Sequence, residues 1–163
     1  MRKNIATCLA CLVLGIVSLG SCENGYDCSL DNIAYNRIGF YSTNEYGIEE
    51  RHQFPEPITV ALLVNGRDSI VVNNRQGIET LQLPMNHTSL CDTVILDYSN
   101  DITDTLYIEH ENRPFYISME CGTVMYHKLT AITHTRNFID SAVIVNDQVK
   151  FNYNENIKLY LVD

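Results

Sequence analysis

Past residue 33 apolar and polar side chains alternate with a period close to two, in short runs rich in Val, Ile, Tyr, Thr and Leu. That pattern predicts strands with one face turned to a core. Ala34–Ser42 is the first. Residues 44–57 are polar, hold two prolines and read as a loop. The strongest local signal follows. ITVALLV and RDSIVVNN, joined by Asn65-Gly66, predict a hairpin with a type I′ turn, because Asn and Gly tolerate positive φ. Further strands are predicted over residues 78–83, 93–98, 105–110, 115–119, 123–133, 141–145, 149–153 and 157–162. Turn sequences separate them: Ser99-Asn100-Asp101, Asn112-Arg113-Pro114, Asn146-Asp147 and Asn154-Glu155-Asn156.

No window carries a 3.6-residue period with caps. Short strands at this spacing predict an all-β fold, an antiparallel β-sandwich of immunoglobulin-like type. The chain has no Trp, so the Cys–Trp–Cys core of antibody domains is absent.

The first 21 residues break the strand pattern. Arg2 and Lys3 precede an apolar run from Ile5 to Leu19. A spanning helix needs about 20 apolar residues. This run is shorter and ends in small residues, as a secretory signal peptide does. Its last residues, Leu19-Gly20-Ser21-Cys22, resemble the lipobox of bacterial lipoproteins: aliphatic, small, small, cysteine. The resemblance implies that the Cys22 thiol takes a diacylglyceryl group and that cleavage leaves Cys22 as an acylated first residue. Each buried CH₂ contributes about 0.8 kcal/mol, so one acyl chain holds marginally and two or three hold firmly. The expected organisation is a signal peptide (1–21), a lipidated tether (22–32) and a single β-sandwich domain (33–163). Its expected location is the cell envelope, as an outer-membrane lipoprotein. Glu23 directly after Cys22 is compatible with outer-membrane sorting. Glu23 and Asp27 form only a partial acidic cluster, so the periplasmic and surface faces both stay open.

Loss of Arg2 and Lys3 takes the formal charge from −9 to −11. An acidic surface argues against nucleic acid and against adhesion to anionic lipid by charge. Lipidation of Cys22 leaves Cys28, Cys91 and Cys121 in an oxidising compartment, where at most one bridge forms among three pairings. No C-x-x-C pair exists after Cys22, and the five His residues lack zinc-ligand spacing. Neither a metal nor another cofactor is expected.

D-[ST]-aliphatic occurs at Asp68-Ser69-Ile70, Asp92-Thr93-Val94, Asp104-Thr105-Leu106 and Asp140-Ser141-Ala142. It resembles the O-glycosylation acceptor of exported proteins in the Bacteroides group, which makes Ser69, Thr93, Thr105 and Ser141 candidates. Ser69 and Thr105 flank expected exposed turns. The same triplet is also what a turn-to-strand junction looks like. Asp97, Ser99, Asp101 and Asp104 suggest a calcium loop, but Ile102 and Ile108 stand where an EF-hand needs Gly and Glu. There is no G-x-S-x-G elbow. The chain is therefore read as a non-enzyme. Ten tyrosines suit stacking on sugars or anchoring of partners.

The segment from Cys121 to Leu161 carries Cys121-Gly122, Tyr126-His127, the run Thr135–Asn146 and Glu155–Leu159. With Cys28 and Gly39-Phe40-Tyr41-Ser42 upstream, it resembles a family of uncharacterised lipoproteins of gut Bacteroidales, a domain of unknown function. The resemblance implies a lipoprotein and no reaction. It matches Cys28 and Cys121 and nothing at Cys91, which implies a Cys28–Cys121 bridge and a free Cys91. Such a bridge closes a loop worth about 4.5 kcal/mol of chain entropy. The expected role is a membrane-anchored module that binds or supports another envelope component, with an outer-membrane protein as partner. A surface glycan-binding module is the alternative.

Overall fold

Alternate burial organises the chain. The computed structural model describes residues 33–98, 102–119 and 121–162. Their strands are β1 (Tyr35–Thr43), β2 (Glu49–Arg51), β3 (Ile58–Val64), β4 (Arg67–Arg75), β5 (Thr80–Pro84), β6 (Cys91–Tyr98), β7 (Ile102–Ser118), β8 (Gly122–His134), β9 (Ile139–Ile144), β10 (Gln148–Val149) and β11 (Ile157–Leu161). No helix occurs among the described residues. One sheet has the order β2-β1-β11-β9, with β5 also paired to β1; the other has the order β10-β8-β7-β6-β3-β4. Strand pairs are antiparallel except β1–β11, which is parallel. The fold is the expected all-β sandwich.

Its core is one cluster. Ile38, Phe40, Leu81, Leu83, Ile139, Ile157 and Leu159 come from the first sheet, and Val60, Leu62, Val94, Leu96, Leu106, Ile108 and Leu129 from the second. A buried Leu, Ile, Val or Phe side chain contributes roughly 1.5–3 kcal/mol. At one end Phe54 closes the core against Phe40, Tyr98 and Phe138, with ring centroids 4.7, 5.1 and 6.2 Å away.

The β3–β4 hairpin turns as expected. Asn65 and Gly66 both take positive φ, 52° and 74°, the twist that a type I′ turn requires. Three elements differ from the sequence reading. Residues 105–118 do not break at Asn112-Arg113-Pro114; they belong to one 17-residue strand, β7. Proline is tolerated there because β6 reaches only to Glu109, so beyond it one edge of β7 has no strand to receive an N–H. Three polar residues of the expected 44–57 loop form β2 on the edge of β1, too short to show alternation. Beyond Val149 the expected strand is a loop.

Asp104 sits on the inner face of β7 in the row with Leu106 and Ile108, fully buried. Its carboxylate accepts the Thr135 hydroxyl and the backbone N–H groups of Asn137 (2.9 Å), Phe138 (2.7 Å) and Ile139 (2.9 Å). These donors line the crossing from β8 in one sheet to β9 in the other. Burial by itself raises the Asp104 pKa. The hydrogen bonds from Thr135, Phe138, Asn137 and Ile139 together outweigh it and hold the group below the ordinary carboxylate value. This stabilisation is present above the ordinary carboxylate pKa and is lost as pH falls through the folded value.

Asn156 and Glu155 join the first and last long strands. The Asn156 side chain accepts the Arg37 N–H and donates to the carbonyls of Asn146 and Gln148. Glu155 accepts the Tyr41 hydroxyl at 2.7 Å and Arg51 at 3.0 Å. Its carboxylate lies on Gly39, where an added Cβ would overlap it.

Two predictions follow from these contacts. Asp104→Ala strands three backbone donors, and urea unfolding should show a loss of about 3–5 kcal/mol. Asp104→Asn keeps one carbonyl acceptor and should lose less. Gly39→Ala should cost about 1–2 kcal/mol by displacing Glu155. In a double-mutant cycle Glu155→Ala should remove most of that cost, and additive losses would refute the overlap as its cause.

Candidate functional site

The end of the sandwich away from Phe54 is built from imidazoles and amides. His110 and His127 occupy inward positions on β7 and β8, in the same rows as Ile108 and Leu129, and both are buried. His87, exposed in the loop between β5 and β6, lays its ring against His127 at 5.4 Å; His110 meets His127 edge-on at 5.2 Å. Asn112 ties the loop to β7, donating to the carbonyls of His87 and Ser89, both at 2.9 Å.

Those donations fix the Asn112 amide, so its Oδ1 is an acceptor and His127 Nδ1, at 2.8 Å, must carry the proton. His127 Nε2 is then a bare lone pair. It is buried and has no hydrogen-bond partner. His110 Nε2 stands 3.4 Å from Asp92 Oδ2, an ion-pair distance but not a hydrogen bond, and neither His110 ring nitrogen has a hydrogen-bond partner. No three His, Cys, Asp or Glu side chains among the described residues are placed to hold a metal ion together.

A cleft of about 320 Å³ opens beside this cluster. Ile33, Leu62, Leu63, Val64, Pro84 and Met85 form its aliphatic walls, and His87, Asp92 and Asn86 supply polar groups. Asp92 is shared: one carboxylate oxygen faces His110 and accepts the Asn86 N–H at 3.2 Å. The arrangement can seat an apolar group and offer it hydrogen-bonding partners. The sequence reading missed it. Zinc spacing does not bring His87, His110 and His127 together, and Tyr126-His127 enters only as part of the family resemblance; the contacts among the three cross strands. The available signal was parity: His110 continues the row of Leu106 and Ile108, and His127 that of Leu129.

The other candidates are dispersed. Ser69 is exposed on the edge strand β4. Thr93, Thr105 and Ser141 are half-buried within paired strands. Cys91 is a free, exposed thiol. Partial burial, Glu109 and Asp92 push its pKa up, the reverse of an activated nucleophile. Cys121 precedes β8, its N–H donating to Ser118 at 3.0 Å. Cys22 and Cys28 lie outside the described residues.

Burial, followed by the charges of His110 and His87, pulls the His127 pKa down to about 4, with Asp92 opposing. The unfolded chain therefore binds more protons than the folded one between the ordinary value of 6.5 and about 4. The stability this neutral ring provides is complete above pH 6.5 and falls as pH drops toward 4, by on the order of 3 kcal/mol. His127→Asn keeps a donor for Asn112 and removes the titrating group. Urea unfolding of this variant should lose less stability between pH 7 and pH 4 than the parent; an equal loss would exclude His127 as the source.

A family model described as "Family of unknown function (DUF6452)" matches residues 57–161. The match takes in β3 to β11 and every residue of the cleft wall except Ile33; β1, β2 and the Gly39–Ser42 motif lie before it. No curated protein and no solved structure matches the chain.

Proposed function

The chain belongs to this family of unknown function, and we propose that it is a lipid-anchored, non-enzymatic module of the bacterial cell envelope, held by Cys22 in the outer membrane, whose aliphatic cleft receives an apolar side chain of another envelope protein. The observation that carries the binding role is the cleft itself, an aliphatic seat bordered by His87 and Asp92, with unpartnered buried nitrogens on the adjoining His110 and His127. Buried polar atoms without partners are rare in folded proteins, and ligand sites are one place where they occur. The lipobox residues Leu19-Gly20-Ser21-Cys22 support the anchor and the Bacteroidales lipoprotein assignment. The high thiol pKa of Cys91 supports a non-enzymatic role.

The same reading pairs Cys28 with Cys121. Cys91 is a free thiol, in keeping with that pairing. Ile33 bridges Met125 in parallel. The parallel β1–β11 pair supports an immunoglobulin-like version of the sandwich. Ser69 is the glycan acceptor that its exposure favours. A surface glycan-binding module is the second reading. Phe115, Tyr126 and Phe151 stand in ring contact at 5.3 and 5.2 Å, with Phe115 and Phe151 exposed, as a sugar-stacking face requires.

Labelling of cells with an alkyne fatty acid, followed by crosslinking of intact envelopes, tests both halves. The parent chain should take up label and crosslink to a defined envelope protein. Cys22→Ala should lose the label, and Leu63→Asp should keep the label and lose the crosslink. Label persisting in Cys22→Ala would remove the anchor; an unchanged crosslink in Leu63→Asp would remove the cleft as the seat.

A further inference from the structure

The strands β7 and β8 continue as a hairpin arm past the end of β6, whose pairing with β7 stops at Cys91–Glu109, and past β10, which pairs with β8 at His127 and Lys128. The arm ends in the sequence Ser118-Met119-Glu120-Cys121-Gly122. Near that end Phe115 (51%), Tyr116 (57%) and Met119 (94%) expose large apolar surfaces. Exposed side chains of this size grouped at one tip mark an interaction surface.

What covers the tip follows from where the chain comes in. Ile33 bridges Met125 of β8, and the bridge is parallel. Ile33 therefore sits three residues along β8 from Gly122, close to the tip. Ile33 lies eleven positions after Cys22, a reach of at most about 40 Å. We propose that Phe115, Tyr116 and Met119 rest in the interfacial layer of the bilayer that holds the Cys22 lipid, so that the domain is fixed by two points and stands in one orientation. The inference depends on the lipid anchor proposed above.

The chemistry suits that layer. Aromatic rings with a polar handle settle at the headgroup level, where one end is apolar and the other wet. Met119 supplies flexible apolar bulk. The tip is too small to hold a membrane unaided, and the acyl chains supply the second signal that stable anchoring needs.

The chain has no Trp, so Met119→Trp introduces a single fluorophore at the tip. Tyr46→Trp, at an exposed position in the turn after β1, is the control at the opposite end of that strand. Each lipidated full-length protein is bound to vesicles of phosphatidylcholine and phosphatidylethanolamine, with and without brominated phosphatidylcholine. Both should float with the vesicles. Met119→Trp should shift to the blue and lose emission to the brominated lipid, while Tyr46→Trp does neither. Flotation with no quenching at Met119→Trp overturns the proposal and leaves the anchor standing. A blue shift without quenching overturns it in favour of a protein covering the tip. Failure of both proteins to float removes the anchor, and the proposal with it.

Discussion

The buried carboxylate of Asp104 fixes how the two sheets are connected. Apolar burial is non-directional: it would hold two β-layers together in many offsets. The crossing from β8 to β9 selects one of them, because Thr135, Asn137, Phe138 and Ile139 must all reach the same two oxygens. An isolated buried carboxylate would be costly, and so would stranded backbone donors. Together they offset each other, in this geometry and in no slipped one. β9 then takes β11 beside it, and β11 takes β1, so the first sheet inherits its placement from the clamp.

From that fixed frame the sandwich develops two unlike ends. Next to the clamp, Phe54, Phe40, Tyr98 and Phe138 fill the space with rings in contact. At the other end the same inward rows continue, but with His110 after Ile108 and His127 beyond Leu129. Aliphatic residues there would complete the core at no electrostatic cost. Imidazoles leave three ring nitrogens buried without hydrogen bonds. A local departure from consistent packing, beside a cleft, is where function is expected to outweigh stability.

Local chemistry was legible in the sequence; long-range satisfaction was not. Asn65-Gly66 announces its turn because the requirement, positive φ at two adjacent residues, is carried by those residues alone. The strands of the core were visible through parity. Pro114 misled because the rule against proline in a strand holds only where the edge is paired, and pairing is a property of the neighbour. Asp104-Thr105-Leu106 read as a turn-to-strand junction and a glycan acceptor, whereas Asp104 is buried against donors 31 to 35 residues away. Nothing in the triplet records them. The histidines were hidden for the same reason: spacing rules test neighbours along the chain, and these meet through a hairpin and a loop.

Ile33 draws the remaining features together. It pairs with Met125 on the arm and also lines the cleft wall. Ile33 therefore links the middle of the arm to the mouth of the cleft. Under the anchor proposed above, a partner reaching Leu63 and Val64 would come from the membrane side or lie within it, and a soluble glycan would not. Aliphatic walls and an adjoining buried imidazole suit the first kind of partner. The proposed anchor is compatible with so acidic a chain, because the contact it calls for is made by the exposed Tyr116 and Met119 rather than by charge, while the net charge of −9 favours water over the rest of the surface.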